Sequence, residues 1–263
     1  MKPIAAPPPQ AGDTPQPSLA SLRDEIGRIE KRQPGPRKAL SFGIPAVDAV
    51  LPGHGLARGA LHEIAGGGEQ AVFGAAPTSF TAGIAARLAG QVLWCMRQRD
   101  LHAPALSQAG LGPDRVIYVD AAGDQQVLQA MEEGLRCRGL GAVVGELSTL
   151  DMTASRRLQL AAADTGVMAL ALRRWRDARS ADAYGRQPTA ATTRWRVTPV
   201  PSRALPVPGV GRPVWHVELM RCRGAGARSW IMEACDASGR LDLAADLADR
   251  SPAATVPRRA AAG

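Results

Sequence analysis

From residue 60 onward, short apolar runs alternate with segments whose apolar positions recur at helical spacing. The runs 60–65 (ALHEIA), 91–96 (QVLWCM), 115–120 (RVIYVD), 140–146 (LGAVVGE) and 167–172 (VMALAL) predict strands, and the stretches near 78–90, 102–110, 124–137 and 153–164 predict helices. Apolar strands separated by helices of this length specify βαβ units and a mainly parallel sheet covered on both faces. The pattern changes after Arg173. A polar stretch (RDARSADAYGRQPTAAT, 176–192) leads to strand-like TRWRV (193–197) and a Pro-rich loop. VWHVELMRCR (214–223) and SWIMEAC (229–235) follow, and the GAGAR between them suits a hairpin. The expected fold class is therefore α/β, with a β-rich C-terminal extension.

The ends read differently. Residues 1–17 are a Pro-rich lead with too little apolar content to build a core. Residues 18–37 form an expected N-terminal helix and linker: Ser18 offers an N-cap, and Leu19, Leu22, Ile26 and Ile29 make one narrow apolar stripe before Pro34, Gly35 and Pro36 stop it. Such a stripe docks either on its own domain or on a partner. Residues 38–250 are the expected folded domain, and 251–263 an expected disordered tail. No run approaches the roughly 18 consecutive apolar residues of a membrane span, and the N-terminal stretch lacks the apolar core of a secretory signal. Cys95, Cys137, Cys222 and Cys235 have no CxxC or metal-ligand spacing. The expectation is a cytoplasmic protein without metal or membrane partner.

Charge is concentrated rather than spread. Residues 1–172 carry 16 basic and 16 acidic side chains, and 236–263 carry four of each. The whole net charge of +8 therefore lies in 173–235, where 12 arginines face four acids and four of the five tryptophans also fall. Arginine on phosphate with aromatics available for base stacking is the chemistry of single-strand binding. The DNA-binding candidates are Arg173, Arg174, Arg176, Arg179, Arg186, Arg194, Arg196, Arg221, Arg223 and Arg228. The alternative is that strand alternation buries Trp195, Trp215 and Trp230 and leaves the arginines as a solvated face; in TRWRV, Arg194 and Arg196 share one side and Trp195 takes the other.

Residues 40–66 read LSFGIPAVDAVLPGHGLARGALHEIAG. This resembles the entrance to RecA and KaiC-type ATPase cores, with Gly43, Val47, Asp48, Leu51, Gly53, Gly55, Leu56, Gly59, Glu63 and Gly66 at the matching positions. The runs GALHEIAGGG, GPDRVIYVDA, MEEGLRCRGLGAVVGE, MTASRRLQLAA, TRWRV and LPVPGVGR resemble the ImuA family over nearly the whole of 19–250. That resemblance implies a RecA-like core and a place in a DNA-damage mutagenesis cassette beside ImuB, a Y-family-like polymerase homologue, and an error-prone replicative-type polymerase. RecA and single-stranded DNA are further candidate partners.

The chemistry of such a core is missing from the residues. A phosphate loop needs G-x-x-x-x-G-K-[ST], whose lysine neutralises the nucleotide. Counted from Gly66, the last three positions hold Ala71, Val72 and Phe73, and the chain has no lysine after Lys38. Gly66, Gly67 and Gly68 are vestigial phosphate-loop positions or simply a strand-to-helix turn. Arg97 stands near the place of the general base, and an arginine cannot accept a proton from water. The Walker B position falls on Gly145, with Glu146 one residue later and on the other side of the strand by alternation. No nucleotide cofactor and no catalytic residue are expected. A weak ATPase and a SulA-like division inhibitor are the alternatives. His54 and His62 lack partners at ligand spacing, Ser148, Thr149 and Asp151 suit a helix cap, and Cys95 suits a buried apolar strand.

Overall fold

The computed structural model describes residues 39–68, 70–175, 181, 184–202, 209 and 211–244. The lead, the Leu19/Leu22/Ile26/Ile29 stripe, Arg176, Arg179 and the 251–263 tail lie outside the described residues. In chain order the elements are β1 (Ala39–Leu40), α1 (Pro45–Asp48), β2 (Leu56–Ala57), β3 (Leu61–Gly66), α2 (Gln70–Phe73), α3 (Ala75–Ala86), β4 (Gln91–Met96), α4 (Ala103–Gln108) and β5 (Val116–Asp120). They continue with α5 (Asp124–Arg136), β6 (Leu140–Leu147), α6 (Met152–Thr165), β7 (Met168–Arg173), β8 (Thr193–Val200), β9 (Val214–Cys222), β10 (Arg228–Glu233) and β11 (Asp242–Leu243).

Among the described residues, nine strands form one sheet in the order β11-β10-β9-β8-β3-β7-β6-β4-β5. The six from β8 to β5 run parallel, as the βαβ rhythm predicts, and β9, β10 and β11 extend the sheet antiparallel beyond β8. In the parallel part of the sheet, predicted and observed strand limits differ by a residue at most, except in β8, which runs three residues beyond TRWRV to Val200. Helix α3 starts three residues earlier than expected, directly after the α2 turn.

Side-chain alternation divides the core in two. One face collects Ile64, Trp94, Val144, Leu170 and Trp195 under α3 and α4. The other collects Cys95, Val143, Leu147 and Ala169 under α5 and α6. Asp151 caps α6 by accepting from the Ala154 amide at 2.7 Å, and Gly166, at φ 83°, ends that helix. Phe42, Phe80, Trp195 and Trp215 pack ring to ring at 5.6–6.4 Å between centroids. The Val47–Asp48 pair of the entrance motif organises the first turn: the Asp48 carboxylate accepts from Ser41 Oγ, the Phe42 amide and the Gly43 amide at 2.7–2.9 Å. Gly43 takes the left-handed conformation there. Among the described residues no helix is long and apolar enough to cross a membrane.

Candidate functional site

The turn after β3 is the place where a RecA-type core would hold phosphate, and its inner face is occupied by the protein itself. A Cβ added at Gly68 would sit 2.6 Å from the Phe73 ring, and one at Gly66 would sit 2.8 Å from the Phe73 carbonyl oxygen. A Cβ at Gly67 would strike Thr198 of β8. The three glycines are thus required by close packing inside the chain. Trp175 Nε1 donates to the Gly68 carbonyl at 2.8 Å, which fixes the turn from the far side. Val72, at the position that the count from Gly66 assigns to the lysine, is two-thirds exposed.

The other ATPase positions are also engaged. Arg97, one residue past β4, donates to Asp124 at 3.1 Å and to Ser148 Oγ at 2.7 Å. Asp124 in turn accepts from the backbone and hydroxyls of Ser148 and Thr149, and these bonds hold its carboxyl below the usual carboxylate range against the opposing effect of burial. At the Walker B position a side chain on Gly145 would run into Met131 Sδ of α5. Glu146 points to the opposite face, as alternation requires, and is buried. It accepts from Trp94 Nε1 at 3.0 Å and pairs with Arg174, which also holds Asp100 at 2.5 Å. Burial pushes the Glu146 carboxyl up, and Arg174 and Trp94 oppose that shift. Beside these groups, Thr78, Ser79, Asp100, His102 and Arg174 line a cleft of about 190 Å³ at the start of α3.

Three of the DNA-binding candidates are placed elsewhere than on a nucleic-acid surface. Arg173 and Arg194 are each 3% exposed, and both turn onto the fully buried carboxylate of Glu63, at 3.1 and 3.2 Å. Thr189 Oγ1 also donates to Glu63. Arg194 donates to the carbonyls of Tyr184 and Gln187, Arg173 donates to that of Ser148, and both guanidinium groups lie over the Tyr184 ring. This clasp fastens the 184–190 segment to β3, β7 and β8. Arg174, with 14% of its side chain exposed, is held by two acids. Expecting these three on a DNA-facing patch is corrected by a physical cause: Glu63 and Glu146 need buried cations, and the arginines supply them.

The tryptophans follow the alternative reading, in which they are buried. Trp175, Trp195 and Trp215 are buried, so none of these three offers a face to a base, and Trp230 is half-buried against the core. Arg196 sits 3.8 Å from Glu218, half-buried. Arg186, Arg221, Arg223 and Arg228 remain exposed without an acid partner among the described residues. Arg221 and Arg223 donate to the carbonyls of Thr189 and Ala190, so with Arg186 they border one segment, whereas Arg228 bonds only its neighbour's carbonyl.

His62 has a structural role. Its Nε2 donates to the Ala57 carbonyl at 2.9 Å, and its Nδ1 lies 2.7 Å from Thr193 Oγ1, which also accepts from Trp195 Nε1. Burial pushes its pKa down to about 4, so the ring is neutral. Cys95 is buried, and its thiol is pushed up to about 12. Among the described residues no three His, Cys, Asp or Glu side chains are grouped to hold a metal. The sequence signal that could have exposed the clasp is Glu63 itself, an acid inside a strand that is apolar on both faces.

Protein ImuA of Caulobacter vibrioides, in strains NA1000 / CB15N and ATCC 19089 / CIP 103742 / CB 15, is 38% identical to this chain over 234 residues, covering 85% of this chain and 96% of the relative. The chain belongs to the ImuA family. No protein-family model matches it. A solved structure described as the RadB recombinase superposes with a TM-score of 0.53 at 15% identity, over 78% of this chain and 100% of that one. This ImuA-family chain thus has the α/β fold of RecA-like recombinase cores, extended by antiparallel strands at its C-terminal side.

Proposed function

We propose that this chain is a non-catalytic RecA-like accessory of error-prone translesion synthesis in the DNA-damage response. It acts in the cytoplasm by binding ImuB, with RecA and the error-prone replicative-type polymerase as further partners. Family membership supports the pathway, and the observation that carries the non-catalytic part is the packing of Phe73 against Gly66 and Gly68, where a nucleotide's phosphates would lie. A phosphate chain placed there would meet an aromatic ring in place of a lysine, and desolvated anions without a counter-charge are strongly disfavoured.

Calorimetric titration with Mg-ATP tests the chemistry, and tagged recovery from cells treated with a DNA-damaging agent tests the association. The expected outcome is no nucleotide heat and co-recovery of ImuB. Tight Mg-ATP binding would replace this reading by a weak ATPase, and recovery of the division ring protein would favour the SulA-like alternative. Direct contact with single-stranded DNA is a second reading, favoured by the exposed Arg186, Arg221 and Arg223 around 186–190.

A further inference from the structure

The six parallel strands all begin at one end of the sheet, opposite the end where the Gly66–Gly68 turn lies. At that starting end a cleft of about 350 Å³ opens below β3, β7, β6 and β4. Its rim is the turn before β3 and the loops that lead into β4, β6 and β7. Glycines press these loops together. A Cβ on Gly90 would sit 2.8 Å from the Gly139 carbonyl oxygen, and one on Gly141 would strike the Ala89 carbonyl. A Cβ on Gly59 would sit 3.0 Å from both the Ala162 carbonyl oxygen and Gly166 Cα. Backbone packed on backbone leaves the walls little freedom, so the cleft is preformed.

Arg58, half-buried, and Arg138, exposed, belong to its lining, which contains no acid and no aromatic ring. Among the described residues neither arginine forms an ion pair or donates a side-chain hydrogen bond. One account is that they offset the helix ends gathered here, since α3, α5 and α6 all finish at this end of the sheet. The magnitudes leave a surplus. Three helix ends amount to about −1.5 charges. Arg115 already covers the end of α3 by donating to the carbonyls of Ala86, Leu88 and Gly90. With Arg58 and Arg138 added, the balance stays positive even after the exposed Asp164 beside Thr165 of the lining is counted.

The same end of the sheet carries more arginine. β9 runs antiparallel to β8 and finishes here, with Cys222 opposite Thr193, and β10 starts here at Arg228. Arg221 and Arg223 at the end of β9 thus share this end with Arg58, before β3, and Arg138, before β6. From β10 to β6 is five inter-strand steps, roughly 24 Å. No acid lies in the 222–228 turn. A row of guanidinium groups over this distance matches at most about seven stacked nucleotides of one strand, at roughly 3.4 Å each. The cleft lies within that row, and its glycine main chain suits a sugar-phosphate backbone better than a base.

We infer that this end of the sheet is a phosphate track for a single nucleic-acid strand, running from Arg228, Arg221 and Arg223 into the cleft, where Arg58 and Arg138 hold the backbone. The inference rests on the reading of direct single-strand contact, and adds to it two arginines that lie outside the charged window 173–235.

The test is fluorescence anisotropy of the full chain with a labelled oligothymidylate of about 12 residues, across a salt series. The double variant Arg58→Gln/Arg138→Gln is expected to lose at least about tenfold in affinity, and its slope of log affinity against log salt to shrink by about 1.4, two phosphate contacts at about 0.7 each. Gly139→Glu sets a carboxylate at the cleft: a Cβ there meets nothing within 4 Å and the residue is not left-handed, so the unfolding midpoint is expected to hold while affinity falls at least about tenfold. Arg99→Gln, past the far end of β4, is expected to change neither quantity. Wild-type affinity and slope in the double variant and in Gly139→Glu would overturn the track while leaving the contact at Arg221 and Arg223 standing. No binding by the wild-type chain would overturn both. Displacement of the strand by polyglutamate at equal charge concentration would overturn the occupant in favour of an acidic protein segment.

Discussion

Glu63 shows how much one buried side chain decides in this molecule. It carries the single negative charge among two buried guanidinium groups, and Nε of Arg173 and of Arg194 have no hydrogen-bond partner. Removing one member of a buried ion cluster typically costs about 3–5 kcal/mol, because the remaining charges stay buried and uncompensated. Glu63→Gln is therefore expected to lower unfolding free energy in urea by about that amount. A loss under about 1 kcal/mol would mean that water reaches the cluster. His62 sets a pH dependence. Its pKa is near 4 in the folded protein, below the value of about 6.5 in an unfolded chain. The unfolded state thus takes up a proton first as pH falls, so the stability present above pH 6.5 is lost progressively down to pH 4. Linkage sets the slope at about 1.4 kcal/mol per pH unit, or roughly 3 kcal/mol in all. Glu146, whose pKa is raised, acts in the opposite direction on the acid side, since its penalty disappears once it protonates. The comparison to make is urea unfolding of wild type and His62→Asn from pH 7 to 4. The difference between them is expected to narrow across that window, and parallel profiles would place His62 in contact with solvent.

At the scale of elements, close packing fixes where glycine must stand. Gly145 on β6 lies under Met131 of α5, where a side chain has no room. Gly145→Ala is expected to destabilise by about 1–3 kcal/mol through overpacking, and in a Met131→Ala background the cost should shrink. A double-mutant cycle on chemical unfolding measures that coupling, and additive effects would remove the packing explanation. The same elements explain what was legible. The parallel strands could be read almost to the residue, because strands buried on both faces need continuous apolar runs and helices must return between them. The missing lysine, the misplaced Glu146 and the cap at Asp151 are local facts, readable at single positions. Glu63 hints that a buried cation is needed, but which arginines supply it was not readable, because Arg173 and Arg194 lie 110 and 131 residues away along the chain. Charge counting treats every arginine as surface, and only the fold shows which ones have an acid waiting beneath them. Phe73 was invisible for a similar reason: nothing in its sequence context indicates that a ring will fold back onto Gly68.

For the molecule as a whole, the net charge of +8 now has a smaller carrier than the 12 arginines that produce it. Arg173, Arg174 and Arg194 spend their charge on buried acids, and Arg196 and Arg212 on half-buried ones. What faces outward around one segment is Arg186, Arg221 and Arg223. Reversing those three to glutamate leaves every buried ion pair intact and removes only the bonds from Arg221 and Arg223 to the Thr189 and Ala190 carbonyls, so the fold is expected to survive with a small loss of stability, which the unfolding midpoint reads. If the chain contacts single-stranded DNA there, affinity should fall at least tenfold, and the slope of log affinity against log salt should shrink by about 2, since each phosphate contact contributes about 0.7. Fluorescence anisotropy on a labelled single strand across a salt series reads both quantities. The control is Arg173→Glu, which is expected to unfold the protein by repelling Glu63, and would therefore imitate a binding defect for the wrong reason. An unchanged salt slope in the folded triple variant would leave the positive charge as a solvated face, and the chain's work would then rest on its protein partners alone.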